Sequence, residues 1–167
     1  MFYGCTSLTS VPVLSATTLA DLCYKQMFYG CTNLTTAPEL PATTLEGNCY
    51  RQMFKGCTNL TSAPELPATT LATSCYEQMF NGCTSLETAP ELPATRLVTN
   101  CYSNMFQGCT NLNYIKCLAT NISEGHCLYN WVSGVASSGR FVKAASMTSW
   151  TTGESGIPEN WTVQDAS

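Results

Sequence analysis

The block Met-Phe-x-Gly-Cys-Thr starts at Met1, Met27, Met53, Met79 and Met105, at intervals of 26 residues. A strict period of that length leaves few folds open. Units 27–52 and 53–78 differ at only six positions, so the repeat itself is the architecture. A single unit is too small to bury its own apolar residues and needs neighbours stacked on both sides. The chain is therefore expected to be a solenoid.

Composition narrows the possibilities further. The 167 residues are 44% hydrophobic, enough to bury a core within one elongated domain. Only 11% are charged, with a net charge of −4, and the cations are scattered from Lys25 to Lys143. A nucleic-acid partner would require clustered cations, so none is expected. No apolar run reaches the roughly 18 residues of a membrane span, and no basic segment leads into an apolar core at the amino terminus. Neither membrane insertion nor an export signal is expected. Met1 and Phe2 lie inside a repeat with no polar cap before them, which suggests that the chain is the carboxy-terminal piece of something longer.

Each unit divides into two halves. In Cys31 to Leu45 the leucines fall at Leu34, Leu40 and Leu45 and are interrupted by Pro38 and Pro41, which reads as short extended segments. In Gly47 to Gly56, Cys49 pairs with Met53 and Tyr50 with Phe54 at four-residue spacing, and the run stops at glycine. This pattern predicts a short helix with a glycine end signal. Stacked at about 4.8 Å, the units place Leu8, Leu34, Leu60, Leu86 and Leu112 in register.

The frame persists once more, with Cys127 to Val135 aligning with Cys101 to Cys109. From residue 136 the register disappears, and two β-like segments, Gly139 to Lys143 and Trp161 to Asp165, stand among Ser, Thr, Gly and Pro. The expected organisation is a solenoid over 1–135, five repeats and the start of a sixth, followed by a cap over 136–167. Trp131, Trp150 and Trp161 would cover the last open coil, with aromatic stacking on a ligand as the alternative.

Ten of the eleven cysteines form two ladders at the repeat period: Cys5, Cys31, Cys57, Cys83, Cys109 and Cys23, Cys49, Cys75, Cys101, Cys127. Successive ladder thiols present parallel Cβ vectors, a poor geometry for disulfides. A row of sulfurs cannot enclose a tetrahedral zinc, and no Cys-x-x-Cys pair is present. Buried thiols acting as small apolar spacers are expected, with no metal and no cofactor. Cys117, outside both ladders at the position where middle copies carry Glu, is expected to be the most accessible thiol.

The elements Cys31-x-x-Leu34, Pro38-x-Leu40, Leu45 and Met53-Phe54-x-Gly56-Cys57, repeated through residue 135 or so, resemble the BspA-like, or Treponema-type, leucine-rich repeat family, especially its surface proteins. The tail Gly156 to Val163 is similar to those of repeat proteins from gut bacteria and their phages. The resemblance implies an α/β solenoid, a right-handed leucine-rich-repeat coil of 26-residue units with short parallel strands plus one short helix per unit, completed by a small β-rich C-terminal cap. It also implies adhesion to host matrix proteins or to other bacteria, and no catalytic residues. Pro38 and Pro41 depart from a broad sheet face and should shorten the strands.

No catalytic constellation emerges from the residues. The only histidine, His126, adjoins Cys127 without a third group, so no enzyme is expected. The Asn-x-Thr/Ser tripeptides at Asn33, Asn59, Asn121 and Asn160 read as turns. Positions that vary between copies should face water, namely Lys25, Arg51, Glu77 and Ser103 with Tyr3, Tyr29, Lys55, Asn81 and Gln107. Two near-constant polar columns, Thr17, Thr43, Thr69, Thr95 and Glu39, Glu65, Glu91, form the candidate binding surface. The glutamates could attract a cationic patch or calcium, or could simply be a solvated edge. The expected function is a non-enzymatic recognition or adhesion module for a protein or glycan on a cell surface, displayed there or on a virion as part of a longer chain. The alternative is a structural spacer or assembly element, such as part of a phage tail or receptor-binding protein, self-associating end to end through its uncapped first coil.

Overall fold

The computed structural model describes residues 1–167. Parallel contacts at the repeat period run along the stack: Thr36 bridges Ser62, Thr44 bridges Thr70 and Thr88 bridges Tyr114. Successive units therefore stack on one another along the chain. The interior is one continuous core in which Leu34, Leu60, Leu86 and Leu112 lie directly in line, each fully buried. Phe28, Phe54, Phe80 and Phe106 stack on one another with centroids 5.6–5.7 Å apart. Tyr24, Tyr50 and Tyr76 stack beside them at 5.8 Å. These spacings suit offset aromatic stacking.

The expected helix in each unit is absent. The only regular elements are three short strands, β1 (Tyr114–Cys117), β2 (Arg140–Lys143) and β3 (Thr162–Asp165). In place of a helix, residues 46–57 form a ribbon of overlapping turns. The amides of Arg51, Met53, Lys55 and Cys57 donate to the carbonyls of Asn48, Tyr50, Gln52 and Phe54, three residues back. The amides between them, of Tyr50, Gln52, Phe54 and Gly56, donate instead to Cys75, Glu77, Met79 and Asn81 of the next coil at 2.8–3.0 Å. The backbone is left-handed at every fourth residue, with φ 53° at Asn48, 57° at Gln52 and 75° at Gly56. Alternate turns thus have the positive third φ of a type II turn.

The physical reason is spatial. An α-helix is roughly 10–12 Å across with its side chains and uses its amides internally, so helices cannot stack at a strand spacing of about 4.8 Å. The ribbon can: a Cβ added to Gly56 would lie 3.8 Å from the Gly30 Cα of the preceding coil. The two-in, two-out pattern that suggested a helix is real, with Cys49, Tyr50, Met53 and Phe54 buried and Arg51, Gln52, Lys55 and Gly56 partly exposed. Its period is four residues rather than 3.6, a difference of about 80° over eight residues, too little to register in so short a run.

On the opposite side the prolines shorten the strands as expected. Pro38 and Pro41, with their counterparts, remove ladder donors, and only single bridges form there. Where Tyr114-Ile115-Lys116-Cys117 replaces the proline-bearing sequence, β1 forms. It pairs in parallel with β2, Tyr114 against Arg140, and β2 pairs with β3, Arg140 against Thr162. The column Thr36, Ser62, Thr88, Tyr114, Arg140, Thr162 therefore continues through position 136 into the tail, where the sequence shows no repeat.

The tail also closes the last turn ribbon. Trp131, fully buried, lies over Phe106 and Tyr102, and its indole N–H donates to the Gly156 carbonyl at 2.8 Å. Trp161 donates to Ala136 at 2.8 Å, and Trp150 stacks on Trp131. Trp131 and Trp161 are covered and hydrogen-bonded, which suits the capping role over ligand stacking.

The ribbon makes one prediction. Gly82 has φ 75° with ordinary contact distances at its Cβ position, so backbone conformation, not space, demands glycine there. Gly82→Ala should lower stability by about 1–2 kcal/mol, read as a shift of the denaturant midpoint, whereas Asn100→Gly, at φ 55°, should leave it unchanged or slightly raised.

Candidate functional site

The two polar columns stand on the strand side of the stack. Thr17, Thr43, Thr69 and Thr95 are all exposed, as are Glu39, Glu65 and Glu91. Each column is held in register by the leucines and alanines beneath it: Leu40, Leu66, Leu92 and Ala42, Ala68, Ala94 are buried. Alternation along the extended segment places Glu39 and Thr43 on the same outward face. The threonine column extends to Thr120, whose hydroxyl donates to the Thr95 carbonyl at 3.3 Å. The glutamate column ends differently. Lys116 lies one position further along and pairs with Glu91 at 2.9 Å, which leaves Glu39 and Glu65 without an ion-pair partner in the chain. Between coils, the segments Pro38–Pro41 and Pro64–Pro67 line an open groove of about 480 Å³, and a similar one of about 450 Å³ lies between the second of these and Pro90–Pro93. No three His, Cys, Asp or Glu side chains converge as metal ligands would.

One part of this face has no counterpart in the sequence reading. Arg140 lies over the Tyr114 ring with its guanidinium carbon 4.8 Å from the centroid, a cation–π contact. The two border a depression of about 690 Å³ with Thr88, Asn113, Ser138 and Gly139. The available signal was the 26-residue spacing of Tyr114 and Arg140. It was masked because nothing else in the tail repeats.

On the ribbon side, Tyr3 and Lys25 are exposed, and Tyr29, Arg51, Glu77, Lys55, Asn81 and Gln107 partly so. Ser103 departs from this expected set, being 5% exposed. Gln26, Gln52 and Gln78 form an amide ladder, with bonds of 2.6 and 3.1 Å, and Arg51 pairs with Glu77 at 3.0 Å. These contacts knit the coils together on the outside of the ribbon.

All eleven cysteines are free thiols, and only Cys5 and Cys23 are exposed. The first ladder has a specific task. The thiols of Cys31, Cys57, Cys83 and Cys109 reach the carbonyls of Phe2, Phe28, Phe54 and Phe80 in the preceding coil at 3.0–3.1 Å. Burial pushes the Cys57 and Cys109 thiols up to about 12, so they remain protonated donors at neutral pH.

Cys117 corrects the expectation of accessibility. It is fully buried at the inward end of β1, and burial raises its thiol to about 12. The cause is a one-residue slip: Thr88 pairs with Tyr114, but Leu92 pairs with Cys117 and Arg96 with Asn121. Cys117 therefore occupies a leucine position rather than a glutamate one, and a one-residue shift exchanges the faces of a strand. The 26-residue register returns by Cys127, whose carbonyl accepts from the Tyr102 amide as Cys101 does from Tyr76.

His126 and Cys127 do not act as a pair. His126 is exposed and lies edge-on to Tyr129, while the buried Cys127 thiol points to the Ile122 carbonyl at 3.3 Å.

Six copies of the BspA type leucine rich repeat region match the chain, over residues 1–88 and 21–133. No curated protein and no solved structure matches it.

Two measurements follow from the thiols. Native protein at pH 8 should show two rapidly reacting cysteines, Cys5 and Cys23, with the remainder titrating only in denaturant. Stability should also fall at alkaline pH. The unfolded chain loses its thiol protons near the ordinary value of 9.0, whereas buried Cys57 holds its proton to about 12. The unfolded state then binds fewer protons, so stability is full below pH 9 and declines between pH 9 and 12. A thermal midpoint that stays level across that window would contradict this burial.

Proposed function

Because the chain belongs to the BspA-type leucine-rich repeat family, we propose that it is a non-enzymatic recognition module that binds a protein or glycan on a cell surface through its strand-side face. The observation that carries this reading is the exposure in register of Thr17, Thr43, Thr69, Thr95 and Glu39, Glu65, Glu91 over a continuously packed core. Rigid, repeated side chains lose little entropy on binding and match a partner that is itself extended. The seating of Lys116 on Glu91 indicates the complementary chemistry: cationic groups opposite Glu39 and Glu65. The module would act at a cell surface or on a virion.

An assembly role is the second reading, supported by the first coil. Met1 is 97% exposed, Val13 89% and Leu22 46%, and the outer faces of Phe2 and Tyr3 have no ring above them. Every inter-coil backbone bond of the ribbon runs from an amide to a carbonyl of the following coil. The carbonyls of Cys23 and Lys25 therefore have no donor from a preceding coil, and two such ends facing each other would set acceptor against acceptor. Assembly through this end requires a partner presenting donors.

The test is binding of labelled protein to intact bacterial cells and to immobilised matrix proteins and mucin glycans. Selective binding to either panel, weakened about three- to tenfold by Glu39→Gln with Glu65→Gln and more strongly so at low salt, is the expected result. Absence of binding on both panels would remove the recognition reading and leave the assembly role.

A further inference from the structure

The carboxy-terminal end of the stack is only half closed. Its turn ribbon is covered: the Val132 amide donates to the Glu154 carbonyl at 3.2 Å, and the Asn130 amide to the Ser155 hydroxyl at 3.0 Å. The sheet beside it is not. β3 is the edge strand of the order β1-β2-β3, and all four of its residues are exposed. The amides of Thr162 and Ala166 donate to Gly139 and Lys143 on the β2 side. By the alternation of a strand, the N–H and C=O groups of Val163 and Asp165 point the other way, and neither amide is bonded within the chain.

The side chains show the same incompleteness. Val163 pairs with Phe141, which pairs with Ile115, an inward row in which Ile115 and Phe141 are fully buried while Val163 is 43% exposed. An open strand edge is ordinarily blunted by charged side chains, proline or a bulge; Thr162–Asp165 has no lysine or proline, and its one charge, Asp165, is paired with Lys143 of the neighbouring strand.

We infer that this edge pairs, antiparallel and two-fold, with the β3 edge of a second copy of the chain. Val163 directs both its backbone groups outward, so a two-fold axis at that residue lets the two valines exchange both N–H···O=C bonds, with Cα atoms about 5.5 Å apart. The arrangement is isologous and closes as a dimer. It sets Thr162 opposite Gln164 and places no like charges face to face. Asp165 is held by Lys143 of its own chain. Both copies keep their inward rows on the same side of the joined six-stranded sheet, so each Val163 covers the other. The edge is short, so the dimer is weak and concentration-dependent. This inference is independent of the recognition face and uses the opposite end from the first coil.

The experiment is light scattering of the whole chain over a concentration series, together with site-resolved amide exchange. A monomer–dimer equilibrium is expected, with the Val163 and Asp165 amides becoming protected as the dimer fills. Val163→Pro removes only the outward donor, because proline is tolerated where a strand's N–H faces away from the sheet, and should abolish the dimer. Val163→Lys should do the same through charge repulsion, with an unchanged circular dichroism spectrum in each case. A monomer at every concentration, a dimer that survives both substitutions, or a dimer in which these two amides exchange freely would overturn the proposal.

Discussion

Each coil leaves every second amide of its turn ribbon for the next coil to satisfy. Tyr50, Gln52, Phe54 and Gly56 donate forward to Cys75, Glu77, Met79 and Asn81, and without that neighbour four buried or half-buried donors would lack partners. Each such bond contributes about 0.5–1.5 kcal/mol net, so an isolated unit forgoes this stabilisation even before its apolar residues are considered. The same bonds make the stack directional, with amides facing one end and carbonyls the other. This polarity explains why the two ends differ in their needs. The tail supplies Glu154 and Ser155 to receive the final amides, while the first coil presents acceptors.

The backbone pattern also decides which residues each position accepts. Left-handed φ falls on Leu22, Asn48, Ser74, Asn100 and His126 in one column, on Gln26, Gln52, Gln78, Asn104 and Asn130 in the next, and on glycine in the third. Asparagine tolerates this region better than most residues. Glutamine does so at some cost, and its side chains offset that cost by bonding to one another along the Gln26, Gln52, Gln78 ladder. Cysteine follows the same logic. At Cys57 the site is fully enclosed and a carbonyl lies 3.1 Å away, so a small, largely apolar side chain with a weak donor fits. The richness in cysteine therefore reflects packing at a repeated position, and no disulfide forms.

The columns of the proposed recognition face depend on this regularity and change where it lapses. The slip between Thr88–Tyr114 and Leu92–Cys117 turns a cysteine inward and brings Lys116 onto Glu91. Beside it, Tyr114 and Arg140 continue the column of Thr36, Ser62 and Thr88 in place of small hydroxyl residues. The strand side therefore has an acidic, proline-bordered stretch up to Glu91 and a cationic, aromatic one past it.

Much of this was legible from the chain alone. The 26-residue period implied stacked units, the recurring Leu34 and Cys57 identified core ladders, the prolines implied short strands, and the near-constant polar Thr43 and Glu39 marked a candidate surface. These features survive because each is a local rule repeated often enough to be unmistakable. Only the tertiary structure decided between a helix and a turn ribbon, since eight residues cannot separate a period of 3.6 from one of 4.0, and the space between coils makes that choice. It alone decided that Cys117 is buried and that Tyr114 meets Arg140. Both depend on which residue of one coil lies over which residue of the next, a register set by bonds between chain segments that no single segment contains.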